Sequence, residues 1–167
     1  MDKFVRGRYT AKMDDSFLLF VIGLRIHQLW KIHLRIPIIV SMQKMINELY
    51  RNKELGFLDM KFFISWRGVT LLQYWKSFEH LEKYARQDAI HLKAWKDFNQ
   101  KVAKTGSVGF YHESYVVRQG EYECMYVNMP VYGLARAGSH LPATGRRETA
   151  RGRMEGQKPT GTNGPNI

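Results

Sequence analysis

The run FLDMKFFISWRGVTLLQYWK, residues 57–76, contains two strand-like segments, 57–66 and 69–76, rich in aromatic and β-branched residues and separated only by Arg67-Gly68. A two-residue connection containing glycine is what a tight antiparallel hairpin requires. Upstream, Ile38, Ile39, Met42, Met45, Ile46, Leu49 and Tyr50 recur at helical spacing. Pro37 suits the first helical turn and Gly56 the position just past a C-terminus, so the spacing predicts a helix over 37–53. A shorter helical turn is expected at 29–34. Before it, FLLFVIGLRI (17–26) is apolar on both alternating faces and reads as a strand buried on both sides, with Gly23 marking a bend or a close approach.

Downstream of the hairpin, Ser77 is a suitable N-cap for a helix through Arg86, and Asp88 for a second helix ending near Gly106. His91, Trp95, Phe98 and Val102 share one face of that second helix. VGFYHESYVVR (108–118) and EYECMYVN (121–128) are expected as two further strands around Gln119-Gly120, and 8–13 as a strand that hairpins onto 17–26 through Asp14-Asp15-Ser16. The core order is therefore strand, helix, strand, strand, helix, strand. This predicts a ferredoxin-like α+β sandwich built on one antiparallel sheet. Helices cover one face of such a sheet. Strands apolar on both faces need a second cover, which a second copy of the chain would supply, so a homodimer closing a dimeric α+β barrel is expected.

Among 167 residues, 26 are Lys or Arg and 15 are Asp or Glu, a net charge of +11 that attracts phosphates and anionic membranes. From residue 134 onward the composition turns to Gly, Pro, Thr, Ala and Arg. Two regions are thus expected: a ferredoxin-like domain over 1–133, and a basic tail over 134–167 that is flexible on composition alone. The apolar stretch 17–40 is interrupted by Arg25, His27, Lys31, His33 and Arg35, which argues against a membrane span, and residues 1–15 lack the pattern of a signal peptide. The single cysteine, Cys124, cannot form an internal disulfide, and no Cys/His cluster has zinc-ligand spacing. A cytoplasmic setting is expected.

Chemistry-bearing side chains are few. His91 on its apolar helical stripe and His112 in its strand are candidates for a pocket base, with His112 also a candidate haem ligand; each also has a structural reading as a satisfied core or sheet histidine. Arg25, near the end of a doubly buried strand, is expected to need an anion, either a ligand or Glu113 or Asp59. Trp66, Trp75, Trp95, Tyr74, Tyr111 and Tyr115 are flat residues that line a cavity or fill a core. The sequence has no G-x-S-x-G, phosphate-binding loop, G-x-G-x-x-G or H-E-x-x-H, and no RRM or KH signature to accompany the basic charge. Specific nucleic-acid recognition is therefore not expected.

Several segments carry a resemblance: GRYTA (7–11), FVIGLRI (20–26), QYWKSFEHLEKYA (73–85), HLKAW (91–95), YHESYVV (111–117), NMP (128–130) and PATGRRETARGR (142–153). Together they resemble a bacterial and fungal family of antibiotic-biosynthesis-monooxygenase-like proteins related to the fumagillin-pathway monooxygenase. The resemblance implies a dimeric α+β barrel, a scaffold shared by cofactor-free quinone-forming monooxygenases, haem-dependent aldoxime dehydratases, chlorite dismutases and several isomerases. It also implies that the tail docks as far as about residue 153. An oxygenase without flavin or metal needs an electron-rich substrate, a base and a dry pocket. In that scheme His91 and His112 supply the base and Arg25 steadies the anion. Trp75, Trp95, Tyr115 and Phe98 form walls around a small apolar or aromatic molecule. No cofactor is then required. The alternatives are haem held by an imidazole, and a non-catalytic ligand-binding barrel.

Overall fold

The strands run in chain order as β1 (Val5–Lys12), β2 (Phe17–Ile26), β3 (Phe57–Ser65), β4 (Gly68–Trp75), β5 (Val108–Val117), β6 (Tyr126–Met129) and β7 (Ser139–Pro142). The helices are α1 (Arg35–Arg51), α2 (Phe78–Gln87), α3 (Leu134–Ala137) and α4 (Ala150–Glu155). The computed structural model describes residues 4–28, 35–87, 92–93, 96–97, 100 and 106–156. The chain divides into two units, one comprising 18–115 and the other 1–17 with 116–167.

In the first unit the strands form an antiparallel sheet in the order β3-β4-β2-β5, with helix-forming sequence between β2 and β3 and between β4 and β5. This is the expected ferredoxin-like α+β arrangement. Apolar periodicity explains its core: Leu18 of β2, Phe57 of β3 and Trp75 of β4 meet Leu49 of α1 and Leu81 and Tyr84 of α2. Trp75 packs edge-on against Phe57 at 5.5 Å and tilted against Tyr84 at 5.6 Å. The Tyr50 hydroxyl donates to Asp59 Oδ1 at 2.8 Å, fastening α1 to β3 beside a bulge between Phe57 and Asp59. Gly56 closes the turn after α1 in the left-handed region (φ 82°), as expected of a residue past a helix end. Ser77 caps α2, its Oγ accepting the His80 N–H at 3.4 Å.

The hairpin differs from expectation by one residue. Trp66-Arg67 form the turn, and Gly68 opens β4 opposite Ser65. Gly68 lies outside the left-handed region, and a Cβ there would overlap the Leu24 carbonyl on β2. The glycine permits close approach of strands, and the turn is made without it. Of the second helix expected over 88–106, Leu92, Lys93, Lys96, Asp97 and Gln100 are helical, while 88–91, 94–95, 98–99 and 101–105 lie outside the described residues, as does the helical turn expected at 29–34.

The second unit corrects two pairing expectations. β1 does not form a hairpin with β2; it is the centre of a three-stranded antiparallel sheet in the order β6-β1-β7. Gln119-Gly120 make the expected turn, with Gly120 at φ 82°, yet 121–125 are not strand, and β6 pairs with β1 instead of with β5. The alternative anchorage is visible in the side chains. The Tyr122 hydroxyl accepts the Met13 N–H at 2.6 Å, and Cys124 Sγ accepts the Ala11 N–H at 3.3 Å, so the segment after the turn is fixed along β1 by side chains before its backbone pairs. Residues 134–156, basic in composition, carry α3, β7 and α4. Arg153 is buried there, pairing with Glu123 and donating to the Arg147 and Glu148 carbonyls at 2.8 and 2.9 Å. Those contacts supply the order that composition does not announce.

Candidate functional site on the helix face of the sheet

Strand alternation in the 18–115 unit divides its side chains between two faces. Leu18 and Phe20 of β2 lie opposite Trp75 and Gln73 of β4, and Gln73 in turn lies opposite Met60 of β3. Leu18 and Trp75 belong to the core with α1 and α2, and Phe20 and Met60 pack against it, so this row faces the helices. From β5, the His112 ring stands 5.8 Å from Phe20 and 5.8 Å from Phe110. The result is an aromatic floor bearing two polar groups, an exposed imidazole and the buried carboxamide of Gln73. Trp75 Nε1 donates to Gln73 Oε1 at 2.8 Å, fixing the amide against a side chain that is itself fully buried.

The opposite face holds a different set. A Cβ on Gly23 would overlap the Tyr111 ring, whose hydroxyl lies 3.0 Å from Thr70 Oγ1. The close approach expected at Gly23 is thus to Tyr111. The Tyr115 hydroxyl donates to Glu113 Oε2 at 2.7 Å, and that hydrogen bond, with the charge of Glu113, raises the phenol above the usual tyrosine range. Arg25, expected as a buried cation, is exposed. The two carboxylates suggested for it accept from Tyr115 and Tyr50 instead.

The sequence-predicted residues are therefore not all gathered. His112 faces the helices, Trp75 lies in the core behind that face, and Tyr115 stands on the other side of β5. His91, Trp95 and Phe98 lie outside the described residues. Phe20, Phe110 and Gln73 were missed as members of the floor. The signal for Gln73 was present, an amide inside the otherwise apolar and aromatic run LLQYW. Trp66, one of the flat residues proposed for a cavity or core, is 87% exposed at the hairpin turn. Among the described residues, no three His, Cys, Asp or Glu side chains are grouped so as to hold a metal ion, and no helix is long and apolar enough to cross a membrane.

A family model described as monooxygenase af470-like matches residues 17–134, from the first residue of β2 to the start of α3. A curated relative, monooxygenase af470 of Aspergillus fumigatus (strain Af293), is 36% identical over 88 residues, 48% of this chain and 30% of that protein. The chain thus spans under a third of that relative. Among solved structures, the aldoxime dehydratase OxdRE in complex with butyraldoxime superposes with a TM-score of 0.66 at 20% identity, covering 81% of this chain and 41% of that one. A second aldoxime dehydratase structure gives 0.66 at 22% identity over 81% and 42%. At these identities the likeness concerns the fold. The family resemblance and the α+β fold expected from sequence are both borne out.

Proposed function

Because the chain belongs to the monooxygenase af470-like family, we propose that it is a monooxygenase for a small aromatic or apolar molecule, held on the helix face of the 18–115 sheet, without flavin or metal. The observation that carries this reading is the exposed His112 imidazole beside Phe20 and Phe110. Cofactor-free use of oxygen requires an electron-rich carbon acid or phenol. Once deprotonated, it passes an electron to O2, and the protein contributes a base and an apolar surround. His112 is the proposed base; His91, the other candidate for that role, lies outside the described residues. Phe20 and Phe110 supply a floor on which a planar ring stacks. The test is oxygen consumption on adding electron-rich phenols to the purified chain. Uptake abolished by His112→Ala supports the reading, and uptake unaffected by that substitution overturns the base assignment.

A second reading rests on the same imidazole. Haem, which the family resemblance implies as the alternative cofactor, is ligated by one histidine, and an imidazole flanked by two phenyl rings has the donor type and apolar surround to hold it. Bound haem would supply the redox and Lewis-acid chemistry, His112 being the residue that would hold it, beside Phe20 and Phe110. A Soret band formed stoichiometrically with haemin and lost in His112→Ala favours this reading over the cofactor-free one. We also propose a homodimer. The face bearing Arg25, Tyr111 and Tyr115 would pack on a second copy, for which sedimentation at micromolar concentration is the test.

A further inference from the structure

The unit built on β1 gathers arginines that its own fold does not neutralise. Arg8 of β1 lies opposite Val127 of β6, and both are exposed. The Arg8 guanidinium donates to the Glu148 backbone carbonyl at 3.4 Å, which ties β1 to the 3-10 turn Gly145–Glu148. That turn in turn packs on α4 at Gly152, where a Cβ would overlap the Arg146 carbonyl. Thr149, between the two, caps α4 by accepting the Gly152 N–H at 3.1 Å. Four arginines are therefore carried by segments that touch one another: Arg8, Arg146 and Arg151, which are exposed, and Arg147, which is half-buried. Among the described residues none of the four forms an ion pair, whereas Arg153, the buried residue of α4, is paired with Glu123. Glu148 and Glu155 are the carboxylates of the same segments, so a positive excess remains.

Exposed apolar side chains accompany these cations. Met154 follows Arg151 by three residues, which sets the two on one side of α4, and Met154 is 39% exposed. Val127, across from Arg8, is 52% exposed. This combination selects among anionic partners. A single-stranded nucleic acid needs flat rings for its bases to stack on, but the rings of β1 and β6, Tyr9 and Tyr126, lie around His140 on the other face of the sheet from Arg8 and Val127. A second copy of the surface would bring like charges together. An anionic bilayer uses both components, guanidinium groups at its phosphates and apolar side chains at the acyl boundary. We infer that this surface docks peripherally on an anionic lipid bilayer, with Arg8, Arg146, Arg147 and Arg151 at the headgroups and Val127 and Met154 entering the interface. The docking surface shares no residue with the His112 floor, so it stands or falls apart from the monooxygenase reading.

The experiment is co-sedimentation of the full chain with vesicles of phosphatidylcholine alone and of phosphatidylcholine mixed with phosphatidylglycerol. Binding to the mixed vesicles only, weakening as salt rises, is the expected result. Combining Arg146→Gln with Arg151→Gln should weaken that binding by about twenty-fivefold, from about fivefold for each arginine near an anionic surface. Met154→Ser should weaken it by roughly fivefold through lost insertion, while leaving retention on a soluble polyanion such as heparin unchanged. These are exposed positions, and circular dichroism with thermal melting verifies that the variants are folded. A wild-type chain that ignores the mixed vesicles overturns the inference, as does equal vesicle binding by the folded double arginine variant. Binding that falls with the arginines but not with Met154→Ser, matched by equal affinity for heparin, assigns the surface to a soluble polyanion and overturns the lipid assignment.

Discussion

Tyr111 and His112 are neighbours in β5 that serve opposite faces of one sheet: the phenol crosses β2 over Gly23 to reach Thr70 Oγ1 at 3.0 Å, and the imidazole lies beside Phe20 at 5.8 Å. The alternation of a strand thus separates a structural aromatic from a chemical one at adjacent positions. The first prediction follows. His112→Ala should remove oxygen uptake or haem binding with a stability change under about 0.5 kcal/mol, as for other exposed positions. Urea titration alongside the activity assay checks both.

Gly23 should tolerate no side chain. Gly23→Ala places a methyl into the Tyr111 ring and is expected to cost about 1–3 kcal/mol, the usual range for overpacking. Tyr111→Ala should be milder than its size suggests in the Gly23→Ala background, because the second substitution relieves the first. A double-mutant cycle in urea measures that coupling, and strict additivity would show that the two positions do not meet.

Tyr115 should ionise above the ordinary tyrosine value because its hydroxyl donates to the charged Glu113. The folded value is raised over the unfolded one, so the stabilisation from this contact is complete below the ordinary tyrosine range and is lost as pH rises through the folded value. Glu113→Gln should lower the Tyr115 midpoint toward the ordinary value. Site-resolved NMR of the tyrosine ring carbons through alkaline pH reports it.

Arg153 should be the costliest surface-sequence arginine to remove. It is buried, pairs with Glu123 and donates to the Arg147 and Glu148 carbonyls at the end of a 3-10 turn, the second of which also accepts from Arg8 at 3.4 Å. Arg153→Met should destabilise by about 2–4 kcal/mol, since it removes the donor from the Arg147 carbonyl and leaves the Glu123 carboxylate without its paired cation. Thermal melting checks the magnitude. Limited proteolysis between β7 and α4 locates the effect.

The four-stranded sheet was legible because its signals are local. FLLFVIGLRI is apolar at every second residue and between, Pro37 and Gly56 bracket helical spacing, and Ser77 precedes a strongly amphipathic run. The N-terminal strand was also legible as a strand, but its partners were not, because hairpin proximity is a statement about neighbours and β1 takes both partners from the far end of the chain. The order in 134–156 escaped composition for a similar reason: a segment poor in large apolar residues is held by backbone pairing to β1 and by one buried ion pair, neither of which sequence hydropathy registers. At the site, His112 was found as a rare chemical residue at an apolar position. Gln73 was not, because an uncharged amide inside an aromatic run takes its place on the floor only once strand pairing sets it opposite Phe20.

The central position of β1 also governs when this chain becomes itself. Tyr9 pairs with Tyr126 on one side and Pro142 on the other, residues more than a hundred positions later in the chain. During synthesis the segment 18–115 emerges with all four strands of its own sheet, while β1 is made well before either of its partners, β6 and β7. A strand whose two partners are both made more than a hundred residues after it cannot complete its pairing until residue 142 has been made, so nascent chains stalled before residue 126 carry β1 without either of its sheet neighbours.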